Sequence, residues 1–361
     1  AGVVQSSTCD YTAYGAIYIF LGNVAGLSDQ PAFRIQPKSG FNYPRQIAGG
    51  VDVNNDGYDD FIFANHTWNH NDGGVHLVLG RPHDGSSNTL GICDDIYMFH
   101  GGEGDEFLGH QVAPLGDVDG DGYDEFAVSA HYQNMGLTRQ GVIWIVWGTE
   151  TPSAGLEVTP IGAQRTYRYL GYAMNGGGDV NGDGIPDLIS GNKNHRETGN
   201  TKGGAWLISG HHIRTLPKTP LNNWVTPIDA EVQPFTPDDA FNYSLTGTRT
   251  GEEFGWSVGL TPSPNEDGTS WVIVGSRYGS TDSYSVSGTA QVFRWDPELG
   301  FTGKPVAIVA NELGGKAYQL GYSVSGGVNE PNLVVGSIYS DALGLAQGAA
   351  YAARLLPEDS E

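Results

Sequence analysis

Asp52-Val53-Asn54-Asn55-Asp56-Gly57-Tyr58-Asp59-Asp60 decides how the rest of the chain is read, because its spacing of oxygen-bearing side chains returns twice. It recurs as Asp117-Val118-Asp119-Gly120-Asp121-Gly122-Tyr123-Asp124-Glu125 and as Asp179-Val180-Asn181-Gly182-Asp183-Gly184-Ile185-Pro186-Asp187. In each copy positions 1, 3, 5 and 9 are carboxylates or amides, position 6 is Gly, and position 7 offers a backbone carbonyl. Such a set of oxygens suits a hard cation, most simply Ca2+. An EF-hand would need a bidentate Glu at position 12, where this chain has Phe63, Val128 and Ser190. The residues following each loop are short apolar runs, so the loops are expected between strands. Asp, Asn and Gly also favour turns for local backbone reasons, but three copies in one register exceed what turn preference explains.

Working outward, Asp52 to Asp117 is 65 residues and Asp117 to Asp179 is 62, a period that indicates repeats. A strand-like segment leads into each loop: Pro44-Arg45-Gln46-Ile47-Ala48, Leu108-Gly109-His110-Gln111-Val112 and Leu170-Gly171-Tyr172-Ala173-Met174. Two more, Phe254-Gly255-Trp256-Ser257-Val258 and Leu320-Gly321-Tyr322-Ser323-Val324, lack a complete loop after them. Each unit also has a third strand that opens with Gly, among them Gly74 to Gly80, Gly141 to Gly148, Gly204 to Gly210, Gly288 to Arg294 and Gly348 to Ala352. Gly15 to Gly22 reads as a sixth, with Gly2-Val3-Val4 before it. The expected fold is all-β: a β-propeller of four-stranded antiparallel blades, six units visible and six or seven blades in the ring. Approximate blades are 1–43, 44–107, 108–169, 170–253, 254–319 and 320–361 in one domain. Residues 211–240, with five prolines, read as a surface insertion or lid.

The leading segment Phe/Leu-Gly-x-x-Val, the acidic loop and the apolar strand after it resemble the FG-GAP repeats of integrin α-chain propellers. The resemblance covers nearly the whole chain and implies three Ca2+ sites. One is implied at Asp52, Asn54, Asp56, the Tyr58 carbonyl and Asp60. A second falls on Asp117, Asp119, Asp121, the Tyr123 carbonyl and Glu125, where Glu departs from the usual Asp. The third falls on Asp179, Asn181, Asp183, the Ile185 carbonyl and Asp187. The turns at Pro264 to Gly268 and Val328 to Pro331 lack the ligand spacing and are expected to be metal-free.

The 361 residues carry a formal charge of −23, which argues against nucleic acid and anionic membranes as partners. Twelve of the 41 acidic residues lie in the three loops. No run of 18 apolar residues is present. Cys9 and Cys93 are the two cysteines and could pair in an oxidising compartment. Asn65-His66-Thr67 and Asn242-Tyr243-Ser244 are glycosylation acceptor patterns. A start at Ala1 without Met is compatible with a processed secreted protein or a trimmed chain.

Segments joining second to third strands fall on the face opposite the loops, because strand direction alternates within a blade. Aligning them superposes Thr8, His66, His131, Lys193, Arg277 and Ile338, where the resembled family commonly has Pro. Four basic or titratable groups at one level in so acidic a chain suit an anionic ligand such as a uronate or sulfated glycan. Trp68, Tyr132, His195 and Tyr278 lie nearby, and aromatic faces suit sugar rings. The functional expectation is a secreted or cell-surface Ca2+-binding module for adhesion or extracellular assembly, with a glycan or protein ligand on that face. One alternative is a polysaccharide lyase, with His66 or His131 as base, Tyr132 or Tyr278 as acid and Arg277 or Lys193 neutralising a uronate. Another is a structural subunit of a surface layer or filament, whose self-association would depend on Ca2+; separately, unpaired strand edges at the termini leave room for strand donation by another chain in closing the ring.

Overall fold

The computed structural model describes residues 17–20, 22–23, 26–36, 44–82, 88–91, 96–101, 106–163, 168–197, 200–221, 233–235, 243–279, 288–310, 319–327, 329–340 and 347–357. Five successive antiparallel meanders form a β-propeller. The first blade comprises Gln46–Val51, Asp60–Asn65, Gly74–Val78 and Ile96–His100. The second begins with Leu108–Gly116, Glu125–Ala130, Val142–Trp147 and Glu157–Ala163. The third has Ala173–Gly178, Asp187–Asn192, Gly204–Ile208 and Ser244–Thr246, and the fourth Phe254–Pro262, Ser270–Ser276, Thr289–Phe293 and Ala307–Ala310. The last has three strands among the described residues, Ser323–Gly326, Asn332–Ser340 and Gln347–Arg354.

Five blades among the described residues correct the expectation of six or seven. Among the described residues the N-terminal unit forms no meander: Ile17–Ile19 pairs antiparallel with Phe33–Gln36, which pairs in parallel with Asn88–Gly91. It is a small sheet whose Ile17, Phe33 and Ile35 pack on Phe63 and Val78 of the first blade. Its expected strand at Gly2-Val3-Val4, both cysteines and Asn242 lie outside the described residues. Within 211–240, the described strands do not form a lid. Thr219–Pro220 and Gln233–Phe235 both pair with Glu157–Ala163, widening the second blade outward. Asn65 is buried, and its Oδ1 accepts from Thr67 N and Oγ1, so it is not an available glycan acceptor.

The core is layered. One apolar cluster joins first and second blades through residues such as Ile62, Leu77, Phe126 and Trp144, and another joins second and third through Ile143, Trp147, Leu188 and Trp206. Two more repeat the arrangement along the series. Middle strands therefore face apolar neighbours on both sides, which is why Val142–Trp147 reads as an unbroken apolar run and is buried throughout.

In the first four blades the Gly immediately before the third strand meets the backbone of the next unit. Gly141 adopts φ 78° and Gly203 φ 87°. A Cβ on Gly141 would lie 2.2 Å from Leu170 N, and one on Gly203 would lie 2.0 Å from Phe254 O. Gly73 and Gly288 make the same approach to Leu108 and Leu320. Gly141→Ala is accordingly expected to cost more than about 2 kcal/mol, combining the left-handed conformation with a backbone clash. Gly136→Ala is the control, because Gly136 has φ 86° in open space and should cost only about 1–2 kcal/mol. Denaturant midpoints of the two variants measure the difference.

Candidate functional site

The three acidic loops sit where first strands turn into second strands, and they share one hydrogen-bond scheme. The first carboxylate folds the loop over itself: Asp52 accepts from Asp56 N and Gly57 N, Asp117 from Gly120, Asp121 and Gly122 N, and Asp179 from Gly182, Asp183 and Gly184 N. The last carboxylate latches the loop to the blade. Asp60 accepts from Val53 N and Gly80 N, Glu125 from Val118 N and Gly148 N, and Asp187 from Val180 N and Gly210 N. Burial raises these latch carboxyls, Asp60 to about 6, Glu125 to about 8 and Asp187 to about 7, with backbone donors opposing the shift.

Oxygens of Asp117, Asp119 and Glu125 lie within 4.8 Å of one another, close enough to hold one metal ion. In the first loop Asn54 Oδ1 is buried without a hydrogen-bond partner, an orphaned acceptor in the set. The second loop has an internal counter-ion. Lys218, from the insertion, ion-pairs with Asp119, lies 3.7 Å from Asp121 and rests over the Trp147 ring.

At the other end of the same strands, roughly 25 Å away by the rise of a nine-residue strand, side chains from all five blades converge. His110 lies between His66 and His131, with ring centroids 5.0 and 3.8 Å away, and 5.1 Å from the Tyr172 ring. Lys193 Nζ sits 4.4 Å from the Tyr172 centroid and 4.2 Å from that of Trp256. The Arg277 guanidinium stacks over Trp256 at 3.8 Å and Tyr278 at 4.6 Å, and Trp256 continues to Tyr322. Tyr132 packs between Phe107 and Tyr169. Four of the anticipated residues, His66, His131, Lys193 and Arg277, thus belong to one cluster, with Tyr132 and Tyr278 on its flanks. Trp68 instead packs beside His100, and His195 is buried against Arg168 and the edge of Trp206. Ile338 is partly exposed, and Thr8 lies outside the described residues.

The residues that bridge the cluster were not anticipated as site residues: Phe107, His110, Tyr169, Tyr172, Glu253, Trp256 and Tyr322. The signal was present in the leading segments, where the residues flanking Leu/Phe-Gly repeat at fixed offsets. Phe107, Tyr169, Glu253 and Gln319 all take positive φ two residues before the glycine. Non-glycine residues held there concentrate at ligand-binding positions.

The histidines are neutral. Burial lowers His66 to about 4, His110 to about 3 and His131 to about 2, and the Nδ1 atoms of all three lack partners. Above pH 6.5 folded and unfolded chains both hold them uncharged, so this stability is fully present. Below that the unfolded chain takes up the protons first, and stability falls as pH drops toward the folded values. His131→Gln should therefore flatten the acid-side loss by about 1.4 kcal/mol per pH unit between pH 6 and 4. Denaturant unfolding at a series of pH values reads this slope.

A sequence profile described as the FG-GAP repeat matches residues 108–146, which span the second blade from its leading strand through its third. Over 89 residues the chain is 38% identical to integrin alpha pat-2 of Caenorhabditis briggsae, covering 23% of this chain and 7% of that one. Integrin alpha-V of Gallus gallus is 32% identical over 39% of this chain and 14% of its own length. Integrin alpha-7 of Mus musculus is 28% identical over 53% of this chain and 16% of its own. The chain thus spans less than a fifth of these relatives. With the repeated loops, leading segments and layered blades, these likenesses identify the chain as an FG-GAP repeat β-propeller similar to the N-terminal domain of integrin α-chains.

Proposed function

We propose that the chain is an extracellular ligand-binding module of adhesion type, with Ca2+ stiffening the loop face and an anionic glycan recognised on the opposite face. The observation that carries this is the convergence of Lys193 and Arg277 on Trp256, beside Tyr172, Tyr278 and Tyr322. Cations held over aromatic faces in a chain of net charge −23 supply charge for an acid group and flat surfaces for sugar rings. The likeness to integrin α-chains supports an adhesion role and keeps a protein ligand as the second outcome of any binding screen. Among the described residues no helix is long and apolar enough to cross a membrane.

The loop oxygens fit a hard divalent ion. Asp52, Asn54, Asp56 and Asp60 would hold one, Asp117, Asp119, Asp121 and Glu125 a second, and Asp179, Asn181, Asp183 and Asp187 a third, each with the carbonyl of Tyr58, Tyr123 or Ile185. Bound Ca2+ would neutralise carboxylates that otherwise repel one another. The chain's own contribution is a preformed cradle, since backbone amides already orient the first and last carboxylates of every loop.

Lyase chemistry is the weaker reading. A base must hold a pKa near the working pH, and His131 at about 2 and His66 at about 4 are poor proton acceptors.

Two measurements test these assignments. EDTA should lower the melting temperature by several degrees and added Ca2+ should restore it, each site contributing about 2.7 kcal/mol at a hundredfold excess over its Kd; an unchanged melting curve would refute the cation sites. On a glycan array, uronate-bearing and sulfated polymers should bind and neutral ones should not, with no gain of absorbance near 235 nm. Unsaturated product lost in His131→Ala would reinstate the lyase.

A further inference from the structure

Glu253 is the residue out of pattern. The position two before the leading glycine carries Phe107 in the second blade and Tyr169 in the third, but an acid in the fourth, with the same positive φ. A carboxylate thereby stands where neighbouring repeats place a ring, and it meets a cation of the cluster. Arg277 Nε lies 2.5 Å from Glu253 Oε2, and Arg277 Nη2 lies 3.5 Å from Oε1. Both side chains retain about a fifth of their surface in solvent, 22% for Arg277 and 19% for Glu253.

Lys193 differs from Arg277. It has no carboxylate within ion-pair distance among the described residues, and its ammonium rests over the rings of Tyr172 and Trp256. Glu253 and the neighbouring Arg277 act on it from a longer distance. The cluster therefore holds two cations against one internal acid and carries a net positive charge. A planar guanidinium already accommodating a carboxylate is shaped for another, because its fork matches two carboxylate oxygens.

We propose that this cluster binds the carboxylate of a uronic acid residue in an acidic glycan, and that Glu253 is a built-in competitor for the same Arg277. The reading rests on the glycan-binding function proposed above. An incoming uronate would take the guanidinium from Glu253, with Lys193 as second cation and the Trp256, Tyr278 and Tyr322 rings against the sugar. Those rings favour a sugar over an acidic peptide, and the carboxylate already in place favours a uronate over a sulfate. Glu253 sets a threshold: ligands too weakly charged to compete leave the internal pair closed, so selectivity comes partly from the resident acid.

The test is calorimetric titration of polygalacturonate into the full chain, with heparin and polyglutamate as comparison polymers and melting curves confirming that each variant folds. Glu253→Gln should tighten polygalacturonate binding by about tenfold, by removing the competitor. Arg277→Ala and Lys193→Met should weaken it by about tenfold or more. If Arg277→Ala does not fold, Arg277→Lys substitutes for it, since it keeps the charge and loses the fork; it too should bind more weakly.

Wild-type binding that Glu253→Gln leaves unchanged or weakens would overturn the competitor role and leave the glycan-binding function standing. Heparin bound in preference to polygalacturonate would overturn the carboxylate assignment, and polyglutamate bound in its place would make the ligand an acidic peptide. If neither wild type nor folded Glu253→Gln binds any polyanion, the glycan-binding function falls with the inference.

Discussion

A glycine held at positive φ against the backbone of the following repeat is the contact on which the blade arrangement depends. It recurs at Gly73, Gly141, Gly203 and Gly288, each against the Leu or Phe of the next leading segment. A side chain there would push neighbouring blades apart, and the apolar layers between them would lose their close packing. Because each layer is shared by two blades, none of the sheets is a self-sufficient unit. The middle strands are buried on both faces and have no stable form without their neighbours.

The same arrangement separates the two candidate sites. In the second and third blades the leading strand carries an acidic loop at one end and ring-forming residues at the other, so strand length sets the distance between the loop face and the aromatic cluster. The two ends have opposite electrostatics. At the loops carboxylates crowd together, and burial raises the latch residues Asp60, Glu125 and Asp187. At the other end the histidines are driven neutral and the cations rest on π faces. Burial there disfavours charge, and the Trp256 quadrupole compensates Lys193 and Arg277 where a full ring of carboxylates is missing. Glu253 is the exception, an acid set among rings.

Much of the fold is legible in the residues because it is local and repeated. The loop pattern, the Leu/Phe-Gly segments and the Gly-initiated strands each reflect a backbone need that a single repeat imposes. Blade number is another matter. The N-terminal unit has strand-like composition, yet Phe33–Gln36 pairs in parallel with Asn88–Gly91, a choice of partner that no periodicity encodes. The described insertion strands after residue 211 likewise joined the edge of the second blade, since an unpaired edge accepts any strand within reach.

The candidate site divides in the same way. His66, His131, Lys193 and Arg277 were legible as a set because they occupy one repeat position, and a position shared by repeats becomes a level shared in space. Sequence by itself determined that the chain is an all-β array of FG-GAP units with acidic hairpins at one end. The tertiary structure alone decided which blades form, that His195 and Trp68 turn away from the cluster, and that Tyr172 and Trp256 link its members. It also decided that Glu253 meets Arg277. Those outcomes depend on distances between blades, which are set by packing across many repeats and written in no single one of them.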